Sequence, residues 1–267
     1  CHHCLHSSQV PELCPLCGKK LRLIGPGTQR AEDEIQRKFP QARLRRVDSD
    51  SMKAGQIQKT LAEFGKGMID ILVGTQMIGK GLDFPNVELV GVLNADTALS
   101  LPDFRSSERT FQLIAQVAGR CGRMQDTGRV VVQSYITEEP AIRFACSHDY
   151  KNFAKYELNI RRRCEMPPFS RLARIIMRDP KLAKLEQAAK ALRERIDLLI
   201  GRFHIEAQVR GPMPAGIARL ENYHRQEIII KAQRPEPIQK LLYELHREQS
   251  TASPVQTAVD VDPIFLL

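Results

Sequence analysis

The chain has 267 residues, 42% hydrophobic and 27% charged, with a formal net charge of +9; this is enough apolar material for one large domain or two ordinary ones. No apolar run approaches the ~18 residues that a membrane-spanning helix requires, and no signal peptide opens the chain. Seven cysteines, four of them at positions 1, 4, 14 and 17, do not make the spaced framework of a small secreted protein, so a reducing cytoplasm is expected.

The charge is uneven. Residues 1–150 hold 19 Lys and Arg against 17 Asp and Glu, whereas residues 151–267 hold 21 against 14. A basic excess of that kind suits a polyanion, bound through phosphate contacts and counterion release. The opening at Cys1, inside a cysteine motif, points to a piece of something longer.

Cys1-His-His-Cys4 and Cys14-Pro-Leu-Cys17 form two C-x-x-C knuckles, each able to present two thiolates to a tetrahedral zinc. The two pairs can share one ion, or each can complete a site with cysteines from elsewhere. From Leu21 the pattern becomes α/β. A short strand (Leu21–Gly25) and the turn Gly25-Pro-Gly-Thr28 lead to a helix capped by Thr28, with Glu32 and Asp33 in its first turn. Next come a strand (Arg43–Val47), an acidic loop (Asp48–Asp50), a helix through Ile57, Leu61 and Phe64 closed by Gly65, and apolar strands at Ile69–Val73 and Val87–Leu93. Ser106 or Ser107 caps the helix leading to Gln116, and Arg129–Tyr135 is a last strand. Strands alternating with helices predict a parallel sheet with helices on both faces.

Around 137–169 the character changes. A basic helix (Asp149–Arg163) runs into the linker Cys164-Glu-Met-Pro-Pro-Phe169. Then follow strand Arg171–Met177, helix Leu182–Ile200, strands Ile205–Gly211 and Gln226–Ala232, helix Pro235–Glu248 and strand Val255–Val261, a βαββαβ order that predicts a small α+β sandwich. Leu185, Ala188, Leu192, Ile196 and Leu199 make the core stripe of its long helix. Pro212–Arg225 reads as a basic loop in which Tyr223, Arg219 and Arg225 could stack on and neutralise a nucleic-acid strand; an ordinary hairpin excursion is the alternative. The expected organisation is a partial zinc-binding insertion (1–20), an α/β lobe (21–148), a helix and linker (149–169) and the α+β domain (170–267).

Two stretches carry the chemistry. Ile71-Leu-Val-Gly-Thr-Gln-Met-Ile-Gly-Lys-Gly-Leu-Asp-Phe84 is a buried strand breaking into a glycine-bearing loop, the kind of strand edge where open α/β sheets bind ligands. Gln116-Val-Ala-Gly-Arg-Cys-Gly-Arg123 ends a helix, with Gln116 and Arg120 four apart and Arg120 and Arg123 three apart, so that they can share a face. Arginine forks suit a polyphosphate. The chain lacks a G-x-x-x-x-G-K-[ST] loop and an acidic pair for Mg²⁺, so the arginines suit a finger face that closes onto a nucleotide held by another lobe. A non-enzymatic zinc-containing nucleic-acid adaptor, with the lobe as scaffold, is the competing class.

Val73–Phe84 resembles motif V, and Gln116–Arg123 motif VI, of superfamily 2 helicases. With Gly25–Thr28, Arg46–Asp50, Pro102–Phe111, Pro167–Phe169, Asp260–Pro263 and the cysteine pairs, the whole chain resembles the C-terminal part of the primosomal replication-restart helicases. The resemblance implies a RecA-like second lobe and an S10-like C-terminal domain of an ATP- and Mg²⁺-dependent DNA helicase moving 3′ to 5′. Such a protein would bind stalled forks and D-loops, load the primosome, and meet single-stranded DNA-binding protein in the bacterial cytoplasm. It implies that Arg120 and Arg123, ordered by Gln116, stabilise the transferring phosphate. Gly81 and Asp83 would lie at the nucleotide cleft, and Gly74, Thr75, Gln76 and Lys80 would couple that cleft to the DNA backbone. It also implies two zinc ions, Cys1 and Cys4 belonging to one and Cys14 and Cys17 to the other, each with a partner pair outside this chain.

Overall fold

The computed structural model describes residues 11–13, 17–20, 28–47, 54–75, 86–119, 128–248 and 254–266. They form two compact units, one of Pro11–Leu101 and Arg105–Ala154, the other containing Pro102–Phe104 and Lys155–Leu267.

The first unit opens with helix α1 (Thr28–Lys38), strand β1 (Leu44–Val47), helix α2 (Ala54–Gly65) and strand β2 (Ile71–Gly74). β1 and β2 pair in parallel, Leu44 opposite Ile71 and Val47 opposite Gly74. Ala31 and Ile35 of α1 pack on Leu44, Ile71 and Val73, which fixes the helix against the pair. Arg43 fastens the start of both strands: its guanidinium and its backbone N–H both reach the Asp70 carboxylate. That donation holds the Asp70 carboxyl down at about 2. The group is exposed, so the pair contributes modestly. Because the folded value is depressed, the contribution is present above the ordinary carboxylate range and is lost as the pH falls towards 2.

Two local expectations are corrected here. Among the described residues α1 begins at Thr28, so Glu32 and Asp33 fall outside its first turn, and Glu32 instead pairs with Arg46 of β1 at 3.0 Å. Gly65 is still helical. Gly67 supplies the left-handed residue at φ 72°, with Gly67 N–H on Phe64 O and Met68 N–H on Glu63 O, the doubly bonded helix ending that glycine permits. The strand expected at Leu21–Gly25 lies outside the described residues.

Strand β3 (Leu89–Val92), the short helix α3 (Asp96–Leu99), helix α4 (Ser106–Ala118), strand β4 (Arg129–Val132) and helix α5 (Pro140–Cys146) follow, then helix α6 (Tyr150–Arg163). β3 and β4 are again parallel, Leu89 opposite Arg129. The expected parallel topology is present, but among the described residues it consists of two separate pairs rather than one sheet. A second core joins Ala95, Phe111, Ile114, Ala141, Ile142, Ala145 and Phe153; Phe111 and Phe153 stack with ring centres 4.2 Å apart. Ser106 does not cap α4: the cap position is Arg105, and the Ser106 hydroxyl donates to Leu101 O at 2.9 Å.

The second unit contains strand β5 (Arg171–Asp179), helix α7 (Leu182–Phe203), strands β6 (Gln208–Leu220) and β7 (Tyr223–Ala232), helix α8 (Pro235–Glu248) and strand β8 (Gln256–Val261). The βαββαβ order is as expected. The sheet runs β6-β7-β5-β8 with all neighbours antiparallel. Ala173, Ile175 and Met177 of β5 and Ile228, Ile230 and Ala232 of β7 alternate onto one face and meet Leu185, Ala189, Ile196 and Leu199 of α7 and Ile238, Leu241 and Leu245 of α8. Burying each of these Ile, Leu and Met side chains contributes about 1.5–3 kcal/mol, and among the described residues this is the largest core.

The opposite face holds a buried ion pair, Arg174 Nε donating to Glu227 Oε2 at 2.7 Å, with Arg174 Nη1 also reaching Phe265 O. Among the described residues no helix is long and apolar enough to cross a membrane.

Of the two readings of Pro212–Arg225, the hairpin excursion is the one observed. β6 and β7 continue through it as a hairpin arm that turns at Glu221 and Asn222. Pairing shifts between Arg210 and Met213 and between Pro214 and Arg219 absorb its prolines, as bulges do on an edge strand. Gly211 sits at the first shift with φ 95°, and a Cβ there would lie 2.5 Å from Glu227 O. Gly211→Ala is therefore expected to destabilise the chain by about 3 kcal/mol in urea unfolding. Gly201→Ala in α7, where a Cβ meets nothing within 4 Å, is expected to stabilise it by about 0.5 kcal/mol. Equal effects of the two would contradict this account of the arm.

Candidate nucleotide edge and nucleic-acid face

Parallel pairing brings Val47 and Gly74 to the same edge of the β1–β2 pair. Gly74 and Thr75 are exposed there, and the motif continues into Gln76, Lys80, Gly81 and Asp83, which lie outside the described residues.

α4 is anchored by Thr110, Phe111 and Ile114, all buried. Glu108, Gln112 and Gln116 fall on another stripe, spaced four apart, and Gln112 donates to Glu108 at 3.1 Å. Gln116 is half-buried in the last turn, and Gly119 ends the helix with its N–H on Ala115 O. Arg120 and Arg123 lie just beyond, outside the described residues.

At the matching edge of β3–β4 the structure adds a group that the sequence reading missed. Asp96 is buried, and its carboxylate accepts the Ser134 hydroxyl and, at 2.8 Å, the Tyr135 N–H. Burial pushes this carboxyl up, but the bonds from Ser134 and from the Tyr135 and Ile136 backbone outweigh it and leave the group below its ordinary value. Asp96 thus stays ionised and ties the two outgoing chains of the pair together. The available signal was an acid directly after an apolar strand.

Of the cysteine ligands, only Cys17 is described; it is an exposed free thiol. Cys1, Cys4 and Cys14 lie outside the described residues, and those described contain no cluster of three or more metal-ligating side chains. Leu13 and Lys20 form an antiparallel bridge, and Gly18 takes φ 66° directly after Cys17.

On the C-terminal sheet, Tyr223 and Arg225 share a face, two residues apart on β7. Arg219 sits opposite His224, so the period of two puts it on the other face, and the expected three-residue group is reduced to two. Arg178 replaces it: opposite Arg225 across the pair, its guanidinium lies 5.1 Å from the Tyr223 ring centre, and its Nε donates to Gln256. Burial lowers the Arg225 value, the Arg174 guanidinium lowers it further, Glu227 opposes this, and Arg178 adds to the lowering. Arg225 also donates to Ile217 O at 3.3 Å. The result is a cluster of three guanidiniums with one buried carboxylate, an arrangement that favours an added anion. Two arginines inside the otherwise apolar β5 sequence were the visible sign.

Two family models match parts of the chain. The helicase conserved C-terminal domain matches residues 11–125, and the primosomal protein N C-terminal domain matches residues 162–264. The replication restart protein PriA of Bacillus subtilis is 38% identical over 272 aligned residues, covering all of this chain and 33% of that protein. PriA of Treponema pallidum is 38% identical over 268, again covering all of this chain and 40% of that protein. PriA of Synechocystis is 34% identical, with all of this chain and 32% of that protein covered. The chain thus spans a third to two-fifths of the length of these relatives, and over its whole length it is similar to the replication restart protein PriA.

Proposed function

We propose that this chain is the second motor lobe and C-terminal domain of an ATP-dependent DNA helicase that moves 3′ to 5′, binds stalled forks and D-loops and loads the primosome during replication restart. The observation that carries the reading is the parallel β1–β2 edge at Gly74, joined to a sequence that matches a helicase C-terminal domain over 11–125. DNA, primosome proteins and single-stranded DNA-binding protein are the partners this implies, and the bacterial cytoplasm, at the nucleoid, the place.

ATP with Mg²⁺ is the substrate, held by a lobe outside this chain. Arg120 and Arg123 would neutralise charge on the transferring phosphate oxygens, Gln116 would order them, and Asp83 and Gly81 would close the nucleotide edge. Gly74, Thr75, Gln76 and Lys80 would carry the state of that edge to the DNA backbone. Tyr223, Arg225 and Arg178 would contact DNA on the C-terminal sheet; Arg219 would act from its other face. Zinc would be structural: Cys14 and Cys17 would supply two thiolates to one ion and Cys1 and Cys4 two to the other.

In the complete protein, Arg123→Ala is expected to slow ATP hydrolysis by a factor on the order of 10³ while DNA affinity is retained; undiminished hydrolysis would remove the arginine-finger role. Arg225→Gln is expected to weaken binding of single-stranded DNA evenly across sequences and to reduce the salt slope of log Kd by about 1, as read by fluorescence anisotropy. An unchanged slope would show that Arg225 meets no phosphate.

A further inference from the structure

Pro102–Phe104 lies, in sequence, between α3 and α4 of the motor lobe, yet it belongs to the compact unit that contains Lys155–Leu267. The reason is a set of contacts with the end of the chain and with α6. The Leu266 N–H donates to Asp103 Oδ2 at 3.2 Å, across 163 residues, and Asp103 is buried. The Arg161 guanidinium lies 5.1 Å from the Phe104 ring centre and is itself held by Glu157 at 2.9 Å and by Pro167 O. The terminal peptide is fixed independently. The Asp262 N–H donates to Leu172 O, Asp262 pairs with Arg171, and Phe265 O accepts from the buried Arg174.

This handle has little slack. It leaves the lobe sequence at Leu101 and rejoins it at Arg105. Ser106 closes its base by donating to Leu101 O, and the first helical hydrogen bond of α4 runs from Arg109 N–H to Arg105 O. A three-residue tip cannot shift without moving the first turn of α4. That helix is 13 residues long, and at about 1.5 Å per residue a displacement at its start reaches Gln116 and the entrance to the arginine motif roughly 15–20 Å away.

We propose that Asp103 is a positioning residue for α4: the C-terminal peptide, through Leu266 N–H, and Arg161, through Phe104, hold the start of the helix that carries Gln116. The C-terminal domain thereby acts on Gln116 through the covalent chain. The role assigned to Gln116 rests on the function proposed above; the handle itself does not.

Hydrogen exchange on this chain tests the handle without any activity. Asp103→Ala removes the acceptor, and the amides of α4 are expected to exchange about tenfold faster, while Asp103→Asn, which keeps an oxygen acceptor, stays within about twofold of the parent. Protection of β5, β7 and α7 should be unchanged in both. Unchanged α4 protection in Asp103→Ala overturns the proposal. If Asp103→Ala loosens β5 and β7 as well, Leu266→Pro, which removes the amide donor and keeps the chain length and the Phe265 carbonyl, decides in its place by the same criterion.

In the complete protein, Asp103→Ala is expected to lower kcat for ATP hydrolysis about tenfold with KM for ATP unchanged, and Asp103→Asn to restore most of it. An equal fall for both variants would assign Asp103 a role other than this hydrogen bond. A complete wild-type protein without ATPase activity would refute the helicase reading, and the exchange result would still stand or fall alone.

Discussion

Parallel pairing makes both strands of a pair release their chains at the same edge. In β1–β2 that edge is set by Val47 opposite Gly74, and in β3–β4 by Val92 opposite Val132. Residue type then decides what each edge does. At β3–β4 the outgoing chains are tied by a buried acid, Asp96, taking bonds from Ser134 and Tyr135, and the edge is closed on itself. At β1–β2 the described residues end with Gly74 and Thr75, both exposed.

The C-terminal unit follows the opposite logic. Its antiparallel sheet buries one face under α7 and α8 in an apolar cluster, and on the other face Arg174 and Glu227 are both buried. A buried ion pair is poor stabilisation relative to a packed apolar one. Here it gives the terminal peptide an anchor at Phe265 O and sits beside Arg178 and Arg225, whose charges crowd each other. The crowded arginines of this face are the ones best placed to meet an anion.

How much of this was legible depended on the range of the interaction. The stripe Leu185, Ala188, Leu192, Ile196 and Leu199 declared α7 because helical period is local, and all five residues pack in the core. The helix Pro235–Glu248 was likewise readable to the residue. The β6–β7 arm was not, because Pro212, Pro214 and Gly211 carry the signature of a loop; only cross-strand pairing with shifts keeps them in a sheet. Arg219 was grouped with Tyr223 and Arg225 by proximity in sequence, and a period of two separated them. The helix ending moved from Gly65 to Gly67 because the left-handed position is fixed by carbonyls at Glu63 and Phe64, which composition does not reveal. The attachment of Asp103 to Leu266 was out of reach altogether, since nothing near residue 103 signals a partner 163 residues away. Of the residues in the two motifs, Gln116 is half-buried in the last turn of α4 and Gly74 is exposed at the end of β2, while Arg120, Arg123 and Asp83 lie outside the described residues.

The central claim is that this chain holds one side of a catalytic site and not the whole of it. Steady-state ATP hydrolysis with forked DNA, measured side by side for this chain and for the complete protein, addresses it most directly. Turnover by the complete protein, stimulated by DNA, and none by this chain is the expected result; DNA-stimulated hydrolysis by this chain alone would contradict it.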